Sequence, residues 1–166
     1  IYVIKGNEGD PATLSKSTDG GSTFTNITGT LPTSVQMTNL TVSNTDADKI
    51  WVTFSGYEAA NKVFRSSDGG STWESMSGGL PNIPMNTIVH VNGSTNDELY
   101  LGADIGIFYY DNTFDSFAPG NWTSFNTNLP NTRVNDLKIF YPTSKLVAAT
   151  YGRGTWESTI STVLPV

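Results

Sequence analysis

Apolar residues along this chain either alternate with polar ones or gather in short runs, and each group ends at Gly, Pro, Asn or Asp. Over no useful length do they recur at i, i+3, i+4 and i+7, so the pattern predicts β-strands and no helix. One stretch predicts strands at Met37 to Val42, Ile50 to Phe54, Lys62 to Ser66 and Trp73 to Met76. The next repeats the arrangement at Thr87 to Val91, Glu98 to Ala103, Ile107 to Tyr110 and Asn121 to Phe125.

The two stretches are copies at an offset of 49 residues. Ser17-Thr18-Asp19-Gly20-Gly21-Ser22-Thr23-Phe24 returns as Ser66-Ser67-Asp68-Gly69-Gly70-Ser71-Thr72-Trp73, and Trp73 steps onto Trp122. Leu31-Pro32 recurs at Leu80-Pro81 and Leu129-Pro130, and Ile1-Tyr2-Val3 at Ile50-Trp51-Val52 and Leu99-Tyr100-Leu101. A partial copy runs from near Asn135 through Lys145 to Thr150 and on to Trp156. Four short antiparallel strands repeating at this spacing describe a blade that can bury its two apolar faces only against its neighbours. The expected fold is therefore an all-β β-propeller of four-stranded blades, about 49 residues each. A single region, 1–166, divides into a partial blade 1–31, blades 32–80 and 81–129, a partial blade 130–158 and a tail 159–166. Counting strands as three, four, four and three leaves unpaired edges at both ends, a liability that closed rings avoid. That predicts a segment of a larger propeller, or closure by another chain.

Charge and composition narrow the chemistry. A net charge of −6 without any Lys/Arg run argues against nucleic acid or an anionic membrane as partner. No run of 18 apolar residues exists to span a bilayer, and the first residues lack the features of a signal peptide. The chain has no cysteine and one histidine, His90, which excludes disulfides, thiolate zinc sites, cysteine nucleophiles and multi-histidine metal centres. No cofactor and no metal are expected.

The pattern Ser-x-Asp-x-Gly-x-Thr-Phe/Trp at Ser17, Asp19, Gly21, Thr23 and Phe24, and at Ser66, Asp68, Gly70, Thr72 and Trp73, resembles the Asp-box, or bacterial neuraminidase repeat. That family includes sialidases, secreted bacterial glycosidases and sortilin-type receptors. The resemblance implies a structural turn between the third and fourth strands, away from any catalytic face. The carboxylate would accept bonds from its own turn, Gly21 and Gly70 would adopt positive φ, and Phe24 or Trp73 would insert between blades. The runs Gly79 to Ile88, Leu99 to Phe108, Leu129 to Leu137 and Ala149 to Ser158 are similar to blades of secreted Bacteroidota proteins. That likeness implies export by the type IX secretion system to the cell surface or medium. It is specific for the fold and poor for function.

The third unit lacks the box. Asp111 to Asn121 stands in its place, and Phe114 and Phe117 beside Asp115 suggest a protruding loop for a sugar or a partner. A sialidase needs three arginines converging on a carboxylate, but Arg65, Arg133 and Arg153 fall at different depths, and Arg65 reads as an ordinary exposed cation. Arg153, between Gly152 and Gly154, suits a tight turn presenting a guanidinium. For another glycosidase, two facing carboxylates are required. Asp104 and Asp136 at strand ends are the candidates, with Glu58 in the loop Ser55 to Lys62. His90 would line a central channel, while Trp51, Trp73, Trp122 and Trp156 are expected to pack between blades. The loops Asn7 to Ala12 and Gly56 to Asn61, the latter with Tyr57 and Glu58, are the expected recognition surface because variable loops on rigid scaffolds carry function.

The sequence thus points to a non-catalytic secreted or cell-surface binding module that presents loops to a glycan or protein partner, or pairs its edge strands with another chain. The alternative is a segment of a secreted glycoside hydrolase, sialidase- or xyloglucanase-like, with catalytic carboxylates partly elsewhere. A sortilin-like receptor is disfavoured by the lack of cysteine.

Overall fold

A computed structural model describes residues 1–7, 10–112 and 122–161. They form four antiparallel sheets in chain order. The first holds β1 (Tyr2–Asn7), β2 (Asp10–Lys16) and β3 (Thr25–Asn26). The second holds β4 (Met37–Val42), β5 (Ile50–Phe54), β6 (Val63–Ser66) and β7 (Glu74–Ser75). The third holds β8 (Met85–His90), β9 (Leu99–Ala103), β10 (Gly106–Tyr110) and β11 (Thr123–Ser124). The fourth holds β12 (Val134–Phe140), β13 (Lys145–Thr150) and β14 (Gly154–Thr159). Each sheet is a meander in sequence order, so three, four, four and three strands stand as the alternation predicts.

Apolar cores fill the spaces between sheets, and the two-residue period of a strand decides which core each side chain enters. In β5, Ile50, Val52 and Phe54 join Leu14, Leu31 and Met37 against the first sheet, while Trp51 faces Met85, Ile88 and Leu99 of the third. In β9, Leu99, Leu101 and Ala103 face the second sheet, and Tyr100 turns to Val134, Leu137 and Leu146 of the fourth. Both middle strands are therefore buried throughout. Hydrogen bonds at the repeat spacing of 49 residues tie neighbouring sheets. The amide of His90 donates to Thr41 Oγ1 (3.3 Å), that of Gly93 to Asn44 Oδ1 (3.0 Å) and that of Asn92 to Tyr141 OH (3.0 Å).

Two features depart from the sequence expectation. Asn7 pairs with Asp10, so the expected loop Asn7 to Ala12 is strand apart from residues 8–9, and Ala12 is buried. It is the same second-to-third-strand connection as 55–61 in the next sheet, but continues as a hairpin where the latter is a loop. The constant repeat also hides two length changes that cancel. Seven residues (55–61) separate Phe54 from Lys62, but two (104–105) separate the matching Ala103 and Gly106. Six residues (67–72) lead to Trp73, whereas eleven (111–121) lead to Trp122.

Candidate functional site

Antiparallel meanders bring the second-to-third-strand turns and the entries to the first strands onto one rim. Ser55 N–H donates to Gln36 O (2.9 Å) and Tyr151 N–H to Arg133 O (2.8 Å), so these loops are joined by backbone. The rim collects Tyr57, Glu58, Asp104, Asp136 and Arg153, and adds Asn86, Arg133 and Tyr151, which the sequence reading had not singled out as site residues. The Tyr-Gly-Arg-Gly turn that marked Arg153 was a signal for Tyr151 as well. Phe114 and Phe117 lie outside the described residues.

Tyr57 is 69% exposed and Tyr151 is 74% exposed, whereas the carboxylates around them are engaged. Glu58 accepts from Ser34 Oγ (3.0 Å) and Asn61 Nδ2 (2.7 Å). Beneath it the buried Lys62 donates to Gly56 O (2.7 Å); burial pushes this ammonium below its ordinary pKa, against the attraction of Glu58. Asp104 accepts from Asn86 Nδ2 (3.0 Å) and lies 3.6 Å from Arg133 Nε across to the fourth sheet. Asp136 accepts from the amide of Leu137 (3.0 Å) and lies 3.7 Å from Lys138 Nζ. Arg153 is exposed on its turn, where Gly152 and Gly154 both have φ of 73°, and its carbonyl accepts from Trp156 Nε1 (2.9 Å). This surface offers aromatic faces, hydrogen bonds and mixed charge.

The opposite rim carries the two Ser-x-Asp turns. Ser17 Oγ donates to Asp19 Oδ1 (2.8 Å) and accepts from Gly21 N (2.8 Å), while Thr23 donates its amide to Oδ1 (2.9 Å) and its hydroxyl to Oδ2 (2.6 Å). The same four bonds, at the same lengths, join Ser66, Asp68, Gly70 and Thr72. The threonine hydroxyl and amide, with the serine hydroxyl, hold the Asp19 carboxyl well below its usual range and that of Asp68 at about 2. Gly21 (φ 96°) and Gly70 (φ 93°) take the left-handed conformation that the turn needs. These carboxylates are saturated turn formers. The aromatic residues after them differ: Trp73 donates its indole N–H to Ile27 O of the first blade (3.0 Å), but Phe24 is 49% exposed.

Three further expectations need correcting. Arg65 is mostly buried, in an ion pair with Glu74 across the strand pair (2.8 Å), because Glu74 faces it in register. His90 is enclosed between the second and third sheets, its ring stacked on Trp51 (centroids 5.0 Å apart), and does not line a channel. Its Nε2 is 3.9 Å from Asp97, which Lys49 of the second sheet grips through both oxygens at 2.9 Å. Trp156 is 38% exposed rather than packed between sheets.

No protein-family model and no curated protein sequence matches this chain. Solved structures do. A GH74 enzyme of Niastella koreensis superposes with a TM-score of 0.64 at 18% identity, over 90% of this chain. YCF48 bound to D1 peptide gives 0.63 at 19% over 93%, and an ancestral GH74 enzyme 0.60 at 15% over 90%. The four sheets are β-propeller blades. At these identities the likeness establishes the fold alone, and the chain spans only 24%, 46% and 21% of the lengths of those three proteins. The site must therefore be argued from this blade array itself. The rim bearing Tyr57 and Tyr151 presents its two most exposed aromatics beside mixed charge.

Proposed function

We propose that this propeller region is a non-catalytic binding module, secreted or held at a cell surface, whose Tyr57–Tyr151 rim receives a glycan or a protein. The observation that carries the reading is the pairing of two exposed tyrosines with carboxylates already satisfied by Ser34, Asn61, Asn86 and Arg133. Tyrosine supplies large contact area and a polar tip at low entropic cost, as recognition surfaces require. A further feature fits an Asp-box protein: the twin Ser-x-Asp-x-Gly-x-Thr turns. A neighbour of the same fold is described as bound to a peptide, which is in keeping with a polypeptide ligand.

Two neighbours are GH74 enzymes, so a hydrolase segment is the second reading, with Asp104 and Asp136 as its carboxylates. One set of assays separates them. Binding to glycan arrays and to captured surface proteins is expected to weaken at least about tenfold in Tyr57→Ala/Tyr151→Ala, with unchanged thermal stability. Turnover of β-glucans, xyloglucan or sialosides that disappears in Asp104→Asn or Asp136→Asn would refute the binding-module reading.

A further inference from the structure

The turns between first and second strands of the second, third and fourth blades meet on the rim that carries the Ser-x-Asp turns. Asn92 and Gly93, between β8 and β9, are each bonded there to the residue 49 positions away. The amide of Gly93 donates to Asn44 Oδ1 of the second blade and that of Asn92 to Tyr141 OH of the fourth, both at 3.0 Å. The amide of Ser94 closes the turn on Val91 O (3.1 Å), and Gly93 takes a φ of 77°. Val91 is buried, but Asn92 and Gly93 stand exposed.

Chemistry singles out this pair. An asparagine followed by glycine cyclises readily, because the glycine nitrogen reaches the preceding side chain unhindered by a Cβ. Asn92 is the one asparagine of the chain that precedes glycine. Among the described residues no hydrogen bond holds its side-chain amide. Asp19-Gly20 and Asp68-Gly69 share the glycine, but Thr23 and Ser17, and Thr72 and Ser66, bind those carboxylates in their ionised form, which is a poor electrophile. At Asn92 the electrophile is free and the restraint lies on the nucleophile, since the Gly93 N–H is engaged by Asn44.

We infer that Asn92 is a deamidation site whose rate Asn44 sets by holding the attacking nitrogen. The Gly93 nitrogen gives up its proton and bonds to Asn92 Cγ; the Cγ–Nδ2 bond breaks, and ammonia leaves with that proton. Water then opens the five-membered imide at either carbonyl, leaving aspartate or isoaspartate at position 92. One water is consumed, one ammonia is released and nothing is oxidised or reduced. While Gly93 donates to Asn44 its nitrogen keeps its proton, so reaction waits on local opening of the turn. Isoaspartate inserts a methylene into the backbone between the bonds to Tyr141 and to Asn44, and so loosens the turn from the fourth and the second blade together. The inference is independent of the Tyr57–Tyr151 rim.

The test uses the 166-residue chain, kept folded at mildly alkaline pH. Peptide mapping by mass spectrometry follows amide-to-acid conversion at every asparagine, and an isoaspartate methyltransferase counts the isoaspartate. Conversion is expected at Asn92 ahead of every other asparagine and more slowly than in the same chain unfolded in guanidinium chloride. Folded Asn44→Ala, an exposed substitution checked by circular dichroism, should convert about threefold faster or more, the effect of losing one hydrogen bond. Asn44→Asp keeps an acceptor and should be no faster than the parent, and all three chains should react alike when unfolded. The inference is overturned if Asn44→Ala deamidates no faster at Asn92, if the folded parent reacts as fast as the unfolded one, or if another asparagine converts first.

Discussion

Replacing Trp122 by phenylalanine isolates what one inter-blade staple contributes. The indole N–H donates at 2.8 Å to the carbonyl of Met76, a residue with no exposed surface, and Trp122 itself is 7% exposed. Phenylalanine leaves that carbonyl buried without its donor, at about 1–3 kcal/mol. The smaller ring also opens a void that costs about 1 kcal/mol. Trp122→Phe should therefore destabilise by about 2–4 kcal/mol. Trp73→Phe removes the equivalent bond at a half-buried site, where water can replace the donor, and should cost about 0.5–1.5 kcal/mol. Urea unfolding followed by far-ultraviolet circular dichroism measures both, and equal m-values make the midpoints comparable. If the two variants differ by less than about 0.5 kcal/mol, burial does not set the strength of the staple, and the reasoning from repeat equivalence to unequal energy fails.

Gly102 of β9 has no room for a side chain, since a Cβ there would sit 2.7 Å from Thr87 Cγ2 and 2.8 Å from Val134 Cγ1 of the fourth blade. Gly102→Ala should cost about 1–3 kcal/mol in thermal unfolding, and combining it with Val134→Ala should recover part of that loss. His90 is pushed below its ordinary value of 6.5 by burial and by Lys49, against the pull of Asp97 and Glu98. The unfolded chain then takes up the proton first, so stability should fall as pH drops below 6.5, and His90→Phe should flatten that slope in melting curves taken between pH 7 and 5. Asp68, held at about 2 against an ordinary 3.8, contributes stability that is present above pH 3.8 and lost as pH falls toward 2. Thr72→Val removes the hydroxyl that is the largest single cause of this and should raise the Asp68 value in NMR titration.

Strand positions and the blade count were legible because a half-buried strand must alternate and a repeated unit must repeat its turns. Ser17 and Ser66 announced their turns equally well, since every bond in them joins residues within a few positions. The sequence also placed Tyr57, Glu58, Asp104, Asp136 and Arg153 at turns or strand ends, which the meander carries to one rim. What it could not tell was partnership across blades. Arg133 reaches Asp104 only because the third and fourth blades pack together, and His90 meets Trp51 across the second interface for the same reason. Arg65 and Trp156 show the converse: each occupies a repeat-defined position, yet a facing Glu74 buries one and the other is exposed. Local periodicity determines strands and turns because their forces act within a few residues, while burial and ion pairing depend on which neighbour arrives, and only the assembled blades decide that.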